Sequence, residues 1–325
     1  MQEILNQMYI HKTISPPKKH GIIVSLPKNN GDQTAGGCRP ITLMNTDYKL
    51  LARIMAWRLS WVLEDQLQSS QFCSVPGNSI LETLSVVRDV IAHAVVTRTP
   101  LCVLSLDFQS SFNRLSHQYL FRILRGYGTS PWFIERIQSL YANATASVQI
   151  NGATTGTISL QSAISQGCRL SMALYALCLH PFLRTLETKL AGVQIGQRKR
   201  RESAVAYADN VTAFVTHPAD FLTMIIAVQT FDRATGALLN PQKSKALVVG
   251  NWAEPPTILG IDFCHQAKIL GIHFGSTIEA STKGIWASVN AAVRAQARRA
   301  YDTSLCLEQR IHYVKQCLLA KKNGT

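Results

Sequence analysis

The chain has 325 residues, 46% of them apolar, and a formal net charge of +14. That length predicts two or three compact units, and the apolar content excludes a disordered chain. The cationic excess, with a pI of about 9.6, favours a polyanionic partner, nucleic acid ahead of an acidic membrane surface.

In chain order, residues 21–28 read as a strand. A Gly-, Asn- and Asp-rich turn covers 29–38, and a second strand begins at Arg39, giving a hairpin flanked by Lys28 and Arg39. Residues 46–67 read as a helix whose core stripe is Leu50, Ile54 and Trp57, with Leu51 and Met55 beside it. A helix over 79–93 carries Leu84, Val87 and Ile91 in register, and the apolar run 101–106 is a strand ending at Asp107. Helices follow over 117–124 and 131–141, the second opened by Pro131, which suits a first helical turn. Asn151-Gly152 between alternating segments predicts a tight hairpin. A long apolar helix covers 171–190, and Tyr207-Ala208-Asp209-Asn210 sits between two short apolar strands. A helix over 220–235, strands over 244–249 and 269–274, and helices from Ile285 onward complete the pattern. Strands and helices in this uneven order predict an α+β fold.

Eight cysteines are present, no two within five positions, so there is no Cys-x-x-Cys metal or redox pair. No uncharged apolar run approaches the ~20 residues that span a bilayer. Residues 1–9 lack the charged start and apolar core of a secretory signal. The expected setting is intracellular, in cytoplasm or nucleus.

Two carboxylates distant in sequence, Asp107 and Asp209, each fall at the tip of a strand. Hard oxygen donors so placed suit a two-metal phosphoryl-transfer site. Each also has a plainer reading: Asp107 as a polar strand end, Asp209 as a turn residue tolerating positive φ.

The motifs occur in a recognisable order. Residues 37–59, from Gly37-Cys38-Arg39-Pro40 to Arg58-Leu59, resemble the fingers segment of non-LTR (LINE-type) retrotransposon reverse transcriptases. Leu106-Asp107-Phe108-Gln109-Ser110-Ser111-Phe112-Asn113-Arg114 is similar to their first palm motif, Ser165-Gln166-Gly167-Cys168 to the second, and Tyr207-Ala208-Asp209-Asn210 to the third. Residues 235–244 resemble the fourth and Lys268-Ile269-Leu270-Gly271 the fifth. The resemblance covers nearly the whole chain. It implies a right-hand polymerase fold, with a fingers-like region over 1–100, a palm with an antiparallel sheet packed on helices over 101–275, and partial thumb-like helices over 276–325.

The sequence departs from the family pattern at several places. Ser111-Phe112-Asn113 stands where the family has Ala-Phe-Asp, Arg169 and Met172 stand for prolines, and Asn210 stands for the second Asp of Tyr-Ala-Asp-Asp. Gln71-Phe72 and Gly77-Asn78 stand near the family's Gly-Phe and Gly-Arg pairs. With no endonuclease before the fingers and no chain beyond the thumb, the expectation is a truncated copy of a decayed element.

The resemblance implies RNA-directed DNA synthesis with an RNA template, a DNA primer and deoxynucleoside triphosphates. Two Mg²⁺ ions, with Mn²⁺ as substitute, would be held by Asp107 and Asp209. Asn210 keeps the turn but loses a charge. A unit charge about 4 Å from a cation is worth roughly 4 kcal/mol at an effective dielectric of 20, about a thousandfold in rate; outside direct ligation the loss is about 10–100-fold. Phe108 and Phe112 are nucleotide-binding candidates, Phe112 as a ring that blocks a ribose 2′-hydroxyl, or else a core aromatic. Gln166 and Gly167 would flank the incoming nucleotide, or form a simple loop-to-helix turn. Lys28 and Arg39 would contact triphosphate, Arg39 bidentately, or be solvated charges. Lys243 would give a proton to pyrophosphate. Arg294, Arg298 and Lys315 would grip nucleic-acid backbone, sequence-blind and salt-sensitive. The alternative to a polymerase is a non-catalytic nucleic-acid-binding remnant with the same fold and charge.

Overall fold

A computed structural model of the chain describes residues 6–7, 9–10, 14–27, 37–67, 70–75, 77–109, 111–160, 164, 168–196, 200–250, 252, 258–302 and 309. The elements that position the site are, in order, β1 (His20–Pro27), β2 (Cys38–Leu43), α1 (Thr46–Gln66), α2 (Ile80–Thr97), β3 (Leu101–Leu106), α3 (Ser111–Arg114), α4 (His117–Gly126), α5 (Pro131–Tyr141), β4 (Thr145–Ile150) and α6 (Arg169–Lys189). They continue as β5 (Ala204–Tyr207), β6 (Asn210–Val215), α7 (Ala219–Thr235), β7 (Lys245–Val249), β8 (Phe263–Cys264), β9 (Gln266–Ile269), β10 (Ile272–Gly275) and α8 (Ile278–Asp302).

β3 reads as an unbroken apolar run because both of its faces are covered. Cys102, Leu104 and Leu106 belong to a core shared with α1, α6 and α7, whereas Leu101 and Val103 belong to a second core shared with α2 and β7. β3 is the middle strand of the sheet β5-β6-β3-β7-β8. The first four strands are mutually antiparallel, and the short β8 joins β7 in parallel. A second sheet holds the predicted hairpin: β1 pairs antiparallel with β2 and parallel with β4.

Several local rules are obeyed. Asn45 caps α1 by accepting from the Asp47 amide, and Ser130 caps α5 in the same way from Phe133, with Pro131 at the first helical position. Glu82 reaches back to the Ser79 amide at the start of α2. Asn151 and Gly152 both adopt positive φ (50° and 83°) between β4 and a short returning strand, as a primed hairpin turn requires.

Two readings are corrected. α1 buries Tyr48, Leu51, Ala52, Met55, Leu59 and Leu63, and leaves Ile54, Trp57 and Trp61 exposed. Both faces of this helix are apolar, so periodicity alone could not choose the core side. The side that packs on α6 carries small Ala52 and flexible Met55, which permit close approach. The strand over 269–274 is instead a hairpin, β9 and β10, turning at Leu270 and Gly271, which have φ of 48° and 90°. A two-residue turn is short enough to be read as strand interior. Among the described residues no helix is long and apolar enough to cross a membrane.

Candidate active site

The apolar run of β3 ends inside the molecule, and Asp107 is the first residue beyond it, half-buried. Its backbone is fixed on both sides. The Asp107 amide donates to Ser244 Oγ at 3.0 Å, and its carbonyl accepts from the Asn240 amide at 2.8 Å. Ser244 is fully buried, so the 240–244 loop is a rigid strap across the end of β3.

Asp209 lies in the two-residue turn between β5 and β6, where Tyr207 pairs with Asn210. The residue in the left-handed region is Ala208, with φ of 56°, and not Asp209. A non-glycine residue there carries strain of about 1–2 kcal/mol, so the turn needs outside support. Gln71, 1% exposed, supplies it. Its Nε2 donates to the Ala208 carbonyl at 3.1 Å, while its Oε1 accepts from the Cys73 amide at 3.0 Å. The Phe72 amide also donates to the Ala206 carbonyl at 3.0 Å.

Register brings the two acids together. Leu106 pairs with Val211 and Tyr207 with Asn210, so Asp107, just past β3, and Asp209, in the turn before β6, lie at the same end of this strand pair. Adjacent strands lie about 4.8 Å apart, so the backbones that carry both acids are neighbours at one end of one strand pair. Asp209 Oδ2 accepts from Ser111 Oγ at 2.8 Å, and Oδ1 accepts from Asn210 Nδ2 at 3.4 Å.

No cluster of three or more His, Cys, Asp or Glu side chains suited to a metal occurs among the described residues. Two half-buried carboxylates on residues at one end of a strand pair fit Mg²⁺ nonetheless, because that ion keeps several waters and takes one or two carboxylates plus substrate phosphates. Such a pair does not fit zinc, which wants four nitrogen, sulfur or carboxylate ligands in a closed set.

Phe112 follows Ser111 on α3 and stacks on Tyr175 of α6, ring centroids 4.6 Å apart at 27°. Burial first, and the charge of Asp209 second, hold the Tyr175 phenol protonated well beyond its ordinary range. Phe108 is corrected: it shares the parity of Leu104 and Leu106, is 3% exposed, and packs edge-on against Phe182 and Phe231. It is a core residue. Any side chain next to Asp107 on an extended chain must face the opposite way.

Asn210 is exposed at the start of β6, and Lys243 is exposed in the loop that straps Asp107. Arg39 is exposed on β2 opposite Leu26, in the other sheet. Arg294 and Arg298 are exposed one turn apart on α8. Lys28, Gln166, Gly167 and Lys315 lie outside the described residues. Sequence reasoning missed Gln71, Ser111, Tyr175 and Ser244 as parts of the site. Ser111 had left a signal, a hydroxyl where the related motif carries alanine.

Residues 26–274 match a family profile described as "Reverse transcriptase (RNA-dependent DNA polymerase)". The chain is 32% identical over 262 residues to the "Transposon TX1 uncharacterized 149 kDa protein" of Xenopus laevis, covering 79% of this chain and 20% of that one. It is 26% identical over 226 residues to a retrovirus-related Pol polyprotein from the type-1 retrotransposable element R2 of Popillia japonica (69% and 31% of the two chains). With the corresponding protein of the type-2 element R2DM of Drosophila melanogaster it shares 24% identity over 272 residues (78% and 25%). The chain thus spans between a fifth and a third of the length of these relatives. Among solved structures, apo telomerase from Candida tropicalis, truncated from its C-terminal domain, superposes with a TM-score of 0.56 at 14% identity, covering 85% of this chain and 58% of that one. Telomerase from Candida albicans in complex with a fragment of telomeric RNA gives 0.53 at 12%, covering 99% and 57%. At such identities the likeness shows the fold alone.

Proposed function

Since the chain belongs to the reverse transcriptase (RNA-dependent DNA polymerase) family, as a domain of the non-LTR retrotransposon type with a right-hand polymerase fold, we propose that it performs, at reduced rate, RNA-directed DNA synthesis at Asp107 and Asp209. The observation that carries this reading is the Leu106–Val211 register, which sets both acids at one end of neighbouring strands. In this reading residues 1–100 act as fingers, 101–275 as palm and 276–325 as part of a thumb. The eight cysteines without paired spacing support an intracellular setting, cytoplasmic or nuclear.

Asp107 and Asp209 would hold two Mg²⁺ ions, with Mn²⁺ able to substitute. When bound, these ions lower the pKa of the primer 3′-hydroxyl and neutralise the triphosphate. The protein's own part is positioning. The Asn240 and Ser244 contacts hold Asp107, and the Gln71 clamp holds the Ala208–Asp209 turn. Phe112, backed by the Tyr175 ring, would exclude a ribose 2′-hydroxyl and so select deoxynucleotides. Lys243, on the strap beside Asp107, would give a proton to the departing pyrophosphate. Arg39, with Lys28, Gln166 and Gly167, would contact the nucleotide, while Arg294, Arg298 and Lys315 would hold the backbone of RNA template and DNA primer.

Asn210 supports a second reading, a nucleic-acid-binding remnant without useful catalysis. Filter binding and primer extension on an RNA template separate the two. Extension that requires Mg²⁺ or Mn²⁺ supports the polymerase; binding without extension, unimproved by Asn210→Asp, selects the remnant.

A further inference from the structure

Ser111 occupies an unusual place. It is 3% exposed, at the start of α3, four residues beyond Asp107, and its hydroxyl reaches across 98 positions of sequence to Asp209 Oδ2 at 2.8 Å. The other oxygen of Asp209 has a longer contact, 3.4 Å, from the Asn210 amide. The Tyr175 phenol is buried nearby and interacts with both the Ser111 hydroxyl and the charge of Asp209.

The consequence follows from the number of acids in the hairpin. With Asn at 210, Asp209 is the turn's one carboxylate, so any cation there depends on the orientation of a single side chain. A half-buried carboxylate with no strong partner can still rotate about its Cα–Cβ and Cβ–Cγ bonds. A buried hydroxyl held on α3 restricts that freedom by occupying Oδ2, and leaves Oδ1 with only the long Asn210 contact.

We propose that Ser111 is a positioning residue, which orients Asp209 toward a divalent cation and in doing so compensates for the missing second carboxylate at Asn210. The proposal rests on the assignment of Asp107 and Asp209 as cation ligands. Gln71 fixes the backbone of the turn and Ser111 fixes its side chain, so the two act on separate degrees of freedom. Ser111 makes no contact with substrate in this account; it acts only through Asp209.

The test is Mn²⁺ binding, followed by electron paramagnetic resonance of the free ion, for the parent chain and for Ser111→Ala, Asn210→Asp, the double variant and Asp209→Asn. Alanine is what the related motif carries at this position, so the fold is expected to survive, and thermal melting checks it. Loss of an oriented ligand partner costs about 10–100-fold in affinity. Ser111→Ala is therefore expected to weaken Mn²⁺ binding by about 10-fold or more in the parent, and by about threefold or less in the Asn210→Asp background. Equal losses in both backgrounds would mark Ser111 as a general structural residue, and no loss in either would mark it as inert; each result overturns the proposal. If Asp209→Asn leaves Mn²⁺ binding untouched, the cation-ligand assignment itself fails, and this proposal goes with it.

Discussion

Leu106 faces Val211 across the central antiparallel ladder, and that one pairing determines which residues meet at the end of β3. A slip of a single residue would turn the side chains of β6 over to the opposite face. The register is held because Val211, Ala213 and Val215 bury into one core while Phe214 buries into the other.

Asn210 follows Asp209 and donates to it, yet is exposed. Solvent screens a charge introduced there, so the full thousandfold estimate for a desolvated ligand is reduced. Asn210→Asp should raise primer-extension rate on an RNA template by about 10–100-fold. Single-turnover kinetics at saturating Mg²⁺ measure it; an unchanged rate would mean that other departures dominate.

Phe112 is 7% exposed and stacked on Tyr175, so its ring cannot swing aside. Shortening it to valine should open space for a 2′-hydroxyl with less core disruption than alanine. Phe112→Val is expected to raise the ratio of ribonucleotide to deoxynucleotide incorporation by about tenfold or more, the scale of ~1–3 kcal/mol pocket discrimination. Competitive incorporation with one labelled nucleotide of each kind reads the ratio. An unmoved ratio would return Phe112 to the core.

The orientation of α1 has its own test. Met55 is fully buried and Trp57 is 62% exposed. Met55→Ala should cost about 2–5 kcal/mol of stability, whereas Trp57→Ala should cost about 0.5 kcal/mol or less, as surface changes do. Urea denaturation of the two variants decides it, and the reverse order would put the Trp57 stripe in the core.

Legibility divides along physical lines. β3, the Asn151-Gly152 hairpin and the helix Pro131–Tyr141 were readable because pattern, turn residues and caps agree locally. The side of α1 was not, because both stripes are apolar and only packing on α6 chooses between them. In the site, Asp107 and Asp209 could be picked out as polar residues ending apolar strands. Gln71, Ser244 and Tyr175 could not, since their contacts with Ala208, Asp107 and Phe112 span more than 60 positions. Phe108 directly follows Asp107 in sequence, but it shares the buried face of Leu104 and Leu106, which only the packing of α6 and α7 over that face makes visible.

Asp232 on α7 gives a pH signature. Burial raises its carboxyl from 3.8 to about 6, opposed by a hydrogen bond from the Leu239 backbone; its Oδ1 is buried without a partner among the described residues. The folded form therefore binds more protons than the unfolded form between about pH 4 and 6, so this group's contribution declines as pH rises through that window. Asp232→Asn should raise the melting temperature relative to the parent at pH 7.5 and leave it nearly equal at pH 4. A difference of the same size at both values would show that the carboxyl does not titrate as described.

The most direct test of the central claim is anomalous diffraction from crystals of the chain soaked in Mn²⁺. The account predicts an ion within ligand distance, about 2.0–2.6 Å, of one carboxylate oxygen from Asp107 and one from Asp209 together. An ion that touches just one of them, or density only at sites elsewhere, would contradict it.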